Sequence, residues 1–127
     1  LGDRVGEAPD ASYSVTMRTR ADQGRNGQVA VIFLSRRRAD DGAGYAAAAE
    51  TMDALAAVQP GYRGVDNVRG ADGFGITVSW WADEASAVAW RAHPDHATIR
   101  ERGRGDWYDG YEVAVAGVTR SYEWARE

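Results

Sequence analysis

His93 and His96 are the chain's two histidines. They stand three residues apart in RAHPDHATIRERGR, with Asp95 between them and Arg91, Arg100, Arg102 and Arg104 around them. Imidazoles at that spacing can share a helical face and hold a metal. Pro94 separates these two, however, and pushes His93 away from helical dihedrals. No third ligand stands at a suitable spacing, and the chain has no cysteine, so no thiolate completes a set. The expectation is no metal site. His96 alone remains as a candidate proton shuttle, because imidazole titrates nearest neutrality. Arg100 is a permanent cation that could stabilise a bound or developing anion. The remaining arginines are interleaved with Asp95, Glu101, Asp106 and Asp109. That mixture reads as ion pairs on a solvated face, not as a nucleic-acid patch.

A second group of residues could build a pocket. Thr77, Ser79 and Trp81 alternate along FGITVSWW and would share one strand face. Two hydroxyls beside an indole suit a flat, oxygenated aromatic guest, which needs apolar surface and a few placed polar groups. Trp80 points the other way, to a core or an interface. Trp90 lies off the small apolar stripe of its helix (Ala85, Val88, Ala89, Ala92) and so requires another neighbour. Trp107, Tyr108 and Tyr111 cluster further on, where they would close one end of a pocket. Tyr45 is placed on the opposite wall, and Asn67 is an exposed strand residue by default.

Composition limits what these groups can serve. The 127 residues suit one domain with a modest core. Net charge is −4, so no overall field draws the chain to nucleic acid or anionic membrane. All fifteen basic residues are arginine. The longest strongly apolar run, VAVIFL, is far too short to cross a bilayer. Leu1 to Gly27 lacks the apolar centre of a signal peptide, which gives a cytoplasmic expectation. The absence of an initiator methionine gives the expectation that the chain's start is trimmed.

Positioning these residues falls to a small set of elements. Residues 1–27 read as an arm, with Tyr13–Arg20 alternating as an extra edge strand. Residues 28–127 form the domain. Gln28–Arg36 is a strand covered on both faces. Asp40, Asp41 and Gly42 start a helix through AGYAAAAETMDALAAV, and Gln59-Pro60-Gly61 stops it. Tyr62–Arg69 and Phe74–Trp81 are strands joined by a hairpin turn at Gly70–Gly73. Asp83 caps a helix to about Ala92, and Pro94 opens another to about Arg102. Gly103 and Gly105 interrupt, and Tyr111–Glu123 is the last strand. The order β-α-β-β-α-β is an α+β, ferredoxin-like pattern: an antiparallel sheet with helices on one face. The other face would be bare and apolar, and a second copy of the chain is the expected cover.

This order resembles the antibiotic biosynthesis monooxygenase family of dimeric α+β barrels. The resemblance spans roughly Gln28 to Trp124 and is carried by QPGYRGV, SWWADEASAVAW, RAHPDHATIRERGR and WYDGYEVAVAGVTRSYEW. One branch of the family oxidises polyketide-derived phenols or anthrones to quinones with dioxygen and no cofactor. Its tryptophan and arginine fall on Trp81 and Arg100, while its asparagine falls on Thr77, which offers a hydroxyl instead of an amide. Another branch degrades haem. Trp90 matches its tryptophan, but its iron-ligating histidine falls on Arg100, and Gln28–Arg36 lacks the expected asparagine. The resemblance therefore implies a homodimer joined through the sheet and a small aromatic substrate. It implies catalytic roles for Trp81, Arg100, Thr77 and His96, and a pocket lined by Ser79, Trp90, Tyr45, Trp107 and Tyr108. A haem protein, or a binding barrel without catalysis, are the alternatives.

Overall fold

The computed structural model describes residues 12–14, 24–39 and 44–127. Its elements are β1 (Ser12–Ser14), β2 (Val29–Arg37), α1 (Tyr45–Ala57), β3 (Tyr62–Arg69), β4 (Phe74–Trp81), α2 (Glu84–Ala92), α3 (Pro94–Arg102) and β5 (Tyr108–Gly117). The five strands form one antiparallel sheet in the order β1-β3-β4-β2-β5. Without the three-residue β1, this is the ferredoxin-like arrangement. β1 overlaps the expected Tyr13–Arg20 strand only at Tyr13 and Ser14, and the rest of that stretch lies outside the described residues. So does the expected helix start at Asp40–Gly42.

Local chemistry sets most boundaries. α1 is rich in alanine, a strong helix former, and ends before Pro60-Gly61, where Gly61 takes a left-handed φ of 85°. The Asp83 side chain caps α2 by accepting from the Ser86 amide at 2.8 Å. His93 separates α2 from α3 in an extended conformation, as a residue before proline should be. It then caps α3, its Nδ1 accepting from the Asp95 amide at 3.1 Å. Thus one of the two histidines serves the backbone.

The last strand departs from expectation. The two glycines after α3 do not break the chain into a loop. A π-helical turn, Gly103–Trp107, continues α3 and runs straight into β5, which therefore starts at Tyr108 instead of Tyr111. β5 ends at Gly117, not Glu123, because its partner β2 begins at Val29, opposite Gly117. Beyond that point only Val118 continues the pairing, its amide donating to the Gln28 carbonyl and its carbonyl accepting from the Gly27 amide, both at 2.9 Å.

Two bulges re-aim side chains. Register shifts at Arg63 in β3 and at Asp109 in β5 each insert one residue, turning Tyr62 and Tyr108 to the helix side of the sheet. Gly64 permits the first, with φ of 127°. The second lets Tyr108 and Tyr111, three residues apart on one strand, both pack on Phe33, with centroids at 5.5 and 5.2 Å.

Candidate active site

Between the sheet and its helices lies a cavity of about 580 Å³. Its floor is the sheet face carrying Val31, Phe33, Asn67, Thr77, Ser79 and Val113, and its walls come from α1, α2, α3 and the π turn. Val88, Val113 and Val115 line it yet remain exposed, so they mark its mouth between α2 and β5.

The expected site residues divide between the two ends. Thr77, Ser79, Trp90, His96, Arg100, Tyr45, Trp107 and Tyr108 all line the cavity. Trp81 does not reach it. It is 0% exposed and sits in a core cluster with Ala56, Ala87 and Trp90. Its Nε1–H donates to Ser79 Oγ at 2.9 Å, so both groups are engaged with each other. Its ring packs on Trp90 at 6.0 Å and edge-on to Tyr62 at 5.8 Å. Contact of Trp81 with a guest therefore gives way to an indirect role: it backs Trp90. The neighbours that Trp90 required are Trp81 on one side and His96 on the other.

His96 is the best-placed proton acceptor. Its ring stacks on Trp90 with centroids 4.6 Å apart and planes 6° from parallel. Its Nδ1 lies 3.1 Å from the Trp90 carbonyl. A carbonyl oxygen only accepts, so Nδ1 carries the proton and Nε2 the lone pair. Burial pushes the imidazole pKa below its usual value, the Trp90 carbonyl opposes this, and the charges of Arg100 and Arg91, with His93, push it further down. His96 is thus held neutral and basic beside a cation. Arg100 donates from Nη1 to the Arg91 carbonyl at 3.1 Å, and its buried Nε has no hydrogen-bond partner among the described residues.

The opposite end holds phenols and arginines. Tyr45 packs edge-on to Trp107 and Tyr108 at 5.7 and 6.0 Å. It therefore shares their end of the cavity instead of forming the wall facing them. Burial, with Tyr45 alongside, raises the Tyr108 pKa far above the usual phenol value, so its hydroxyl stays protonated. Arg69 reaches this end and donates to Ser35 Oγ and Tyr45 Oη.

Sequence reasoning missed Asn67, Arg69 and Ser35. Asn67 lines the cavity and pairs across the ladder with Thr77. An amide and a hydroxyl thus stand side by side, with the amide on β3 instead of β4. The signal for Asn67 was its two-residue spacing from Val65 and Arg69, which puts the three on one strand face.

Metal and haem fit poorly. Among the described residues no three His, Cys, Asp or Glu side chains converge to hold a metal ion. Arg100, at the position of the haem ligand, has no lone pair to offer, and β2 contains no asparagine. Among the described residues no helix is long and apolar enough to cross a membrane.

Sheet order, helices on one face and a cavity between them define the ferredoxin-like α+β class. Within it, the sequence profile of the antibiotic biosynthesis monooxygenase family matches residues 28–102, and the chain belongs to that family. It is 50% identical over 91 residues to YqjZ of Bacillus subtilis, an uncharacterised protein, spanning 72% of this chain and 79% of that one. It is 30% identical over 96 residues to the jasmonate monooxygenase ABM of Pyricularia oryzae, spanning 72% of this chain and 44% of the fungal enzyme. The fold is shared with SnoaB, a cofactor-independent oxygenase from Streptomyces nogalater (TM-score 0.62, 16% identity, covering 72% of this chain and 93% of SnoaB). It is also shared with Rv0793 of Mycobacterium tuberculosis (TM-score 0.64, 20% identity, covering 72% and 94%).

Proposed function

We propose that the chain is a cofactor-independent monooxygenase that oxidises an electron-rich phenol or anthrone with dioxygen. The observation that carries this reading is the neutral His96, its Nδ1 proton committed to Trp90, beside Arg100 on the wall of an aromatic cavity. Family membership and the likeness to SnoaB and to the jasmonate enzyme support monooxygenase chemistry.

In this reading Nε2 of His96 takes the substrate's acidic proton, and Arg100 stabilises the resulting anion. The anion gives one electron to dioxygen. The radical pair, caged by the cavity walls, joins carbon to oxygen as a peroxide. Heterolysis of the O–O bond, with loss of the hydrogen remaining on that carbon, leaves a carbonyl and releases water. One oxygen atom enters the product and one leaves as water, so the substrate supplies all the electrons. Thr77 and Asn67 offer a hydroxyl and an amide for orienting the ring oxygens. Phe33 presents flat surface for the ring, while both faces of Trp90 are taken by Trp81 and His96.

The chain in this reading works as a homodimer joined through the outer face of the sheet. That face carries Ile32, Leu34, Ile76, Val78 and Trp80 by alternation, while the helices lie against the other face. Ile76 is 36% exposed, and Val68 and Phe74 are similarly open. A second copy would cover this surface sheet to sheet.

The test is oxygen uptake over a panel of anthrones and naphthols, without added cofactor, for the parent, His96→Gln and Arg100→Gln. Uptake by the parent with a large loss in both variants is expected. Inactivity of the parent across the panel, or undiminished uptake in both variants, ends the proposal.

A further inference from the structure

The end of the cavity remote from His96 holds a cation that no described carboxylate neutralises. Ser35, Gly75 and Arg69 stand in one row across β2, β4 and β3. Gly75 makes room for the arginine: a Cβ built there would lie 2.6 Å from Arg69 Cζ, so the guanidinium rests on bare backbone. From that seat Nη2 donates to Ser35 Oγ at 2.9 Å and to Tyr45 Oη at 3.1 Å, and Nη1 donates to the Gly73 carbonyl. All three acceptors are neutral. Other arginines differ: Arg36 meets Asp72, Arg102 meets Asp106 and Arg104 meets Glu101. Three of the five N–H groups of Arg69 are used, which leaves Nε–H and one Nη1–H.

A half-buried guanidinium without a counter-charge is costly to keep, and an arriving anion removes that cost. Both Nη2–H groups are engaged, so neither bidentate edge of the guanidinium is open, and an anion would be met by single charge-assisted hydrogen bonds from Nε–H or Nη1–H. The Tyr108 and Tyr45 hydroxyls are hydrogen-bonded to each other, so the pair has one further O–H to donate at the same place. Four strand residues, about 13 Å, separate the Ser35–Gly75 row from the Val31–Ser79 row near the other end. The floor between them is apolar at Phe33 and Val113.

We propose that the cavity is built for an organic acid. Its carboxylate is held by Arg69 with Tyr45 and Tyr108, and its apolar body runs over Phe33 toward the His96–Arg100 end. This rests on the cavity being the substrate site, but not on the oxygen chemistry assigned to it.

The test measures anaerobic binding of naphthylbutanoate and of naphthylbutanol by quenching of tryptophan fluorescence. The parent should bind the acid at least about tenfold more tightly than the alcohol, the difference a charge-assisted hydrogen bond brings. Arg69→Gln should remove that preference and leave alcohol binding unchanged, whereas Arg100→Gln should keep the preference. Arg69→Lys, which retains the charge, should keep part of it and guards against misfolding of the glutamine variant. Equal binding of the two probes by the parent, binding of neither, or a preference that survives Arg69→Gln and falls with Arg100→Gln overturns the assignment. Dioxygen is absent from this assay. A preference seen in a chain that shows no oxygen uptake would refute the oxygenase reading alone.

Discussion

The His96 ring lies flat on the Trp90 indole and donates its Nδ1 proton to the carbonyl of that same residue. Both contacts fix the imidazole as a neutral base, and its lowered pKa carries a pH signature. The folded chain holds His96 less protonated than the unfolded chain does, so stability from this group is complete above the ordinary value of 6.5. It is lost as pH falls from there through the folded pKa. Chemical denaturation at a series of pH values should show this acid loss in the parent and a shallower one in His96→Gln. Oxygen uptake should fall over the same acid range, and His96→Gln should lower it by about a hundredfold or more. A parent profile flat below pH 6.5 would remove His96 from the proton-transfer role.

Trp81 supports that base from behind without touching the cavity. Replacing a fully buried tryptophan by alanine should cost about 3–5 kcal/mol. Ser79→Ala is the finer probe, since it strands the buried indole N–H that now reaches Ser79 Oγ at 2.9 Å. A loss of about 1–3 kcal/mol is expected. Urea titrations of both variants check the two values. A neutral Ser79→Ala would mean that the indole N–H finds water instead.

Elements governed by local chemistry were legible in the sequence. Pro60-Gly61, the turn at Gly70–Gly73, Asp83 and Pro94 each act within a few residues, so α2, α3, β3 and β4 begin and end where those residues place them. What alternation could not show is the effect of an inserted residue. Counting by twos sends Tyr62 and Tyr108 to the outer face, and a bulge reverses each. Gly64 inside a strand was the available warning for the first. Arg69 and Ser35 were hidden for a different reason: they lie 34 residues apart and meet only because β4 sits between their strands. Trp81 was legible as a buried indole, but nothing local told whether it would line the cavity or stand behind its wall.

Gly64 gives the first bulge a separate test. Its φ of 127° lies where a side chain is strained, and Tyr62 depends on it to reach Trp81. Gly64→Ala should destabilise the fold by about 1–3 kcal/mol. Thermal unfolding measures this, and an unchanged midpoint would mean that β3 can straighten without penalty.

The outer sheet face predicts a mass. Sedimentation of the parent at micromolar concentration should give twice the chain mass of 13.8 kDa. Val78→Glu puts a charge at the centre of that face and should give the single-chain mass with the circular dichroism preserved. A monomeric parent would refute the sheet-to-sheet pairing.

Gly75 offers a way to displace Arg69 without changing its charge. An alanine in a strand ordinarily gains about 0.5–1 kcal/mol over glycine, because it has less backbone freedom to lose. Gly75 does not have a positive φ, so its backbone accepts a side chain. The new methyl would nevertheless meet Arg69 Cζ at 2.6 Å and both Nη atoms below 3 Å. The guanidinium is the movable party, and it can leave only by giving up Ser35 and Tyr45. Gly75→Ala should therefore keep or slightly raise the melting temperature while abolishing the preference for naphthylbutanoate over naphthylbutanol. Loss of the preference in a chain that still contains every arginine would place the anion site in the seat that Gly75 provides, and a preference left intact would show that the guanidinium finds the carboxylate from elsewhere.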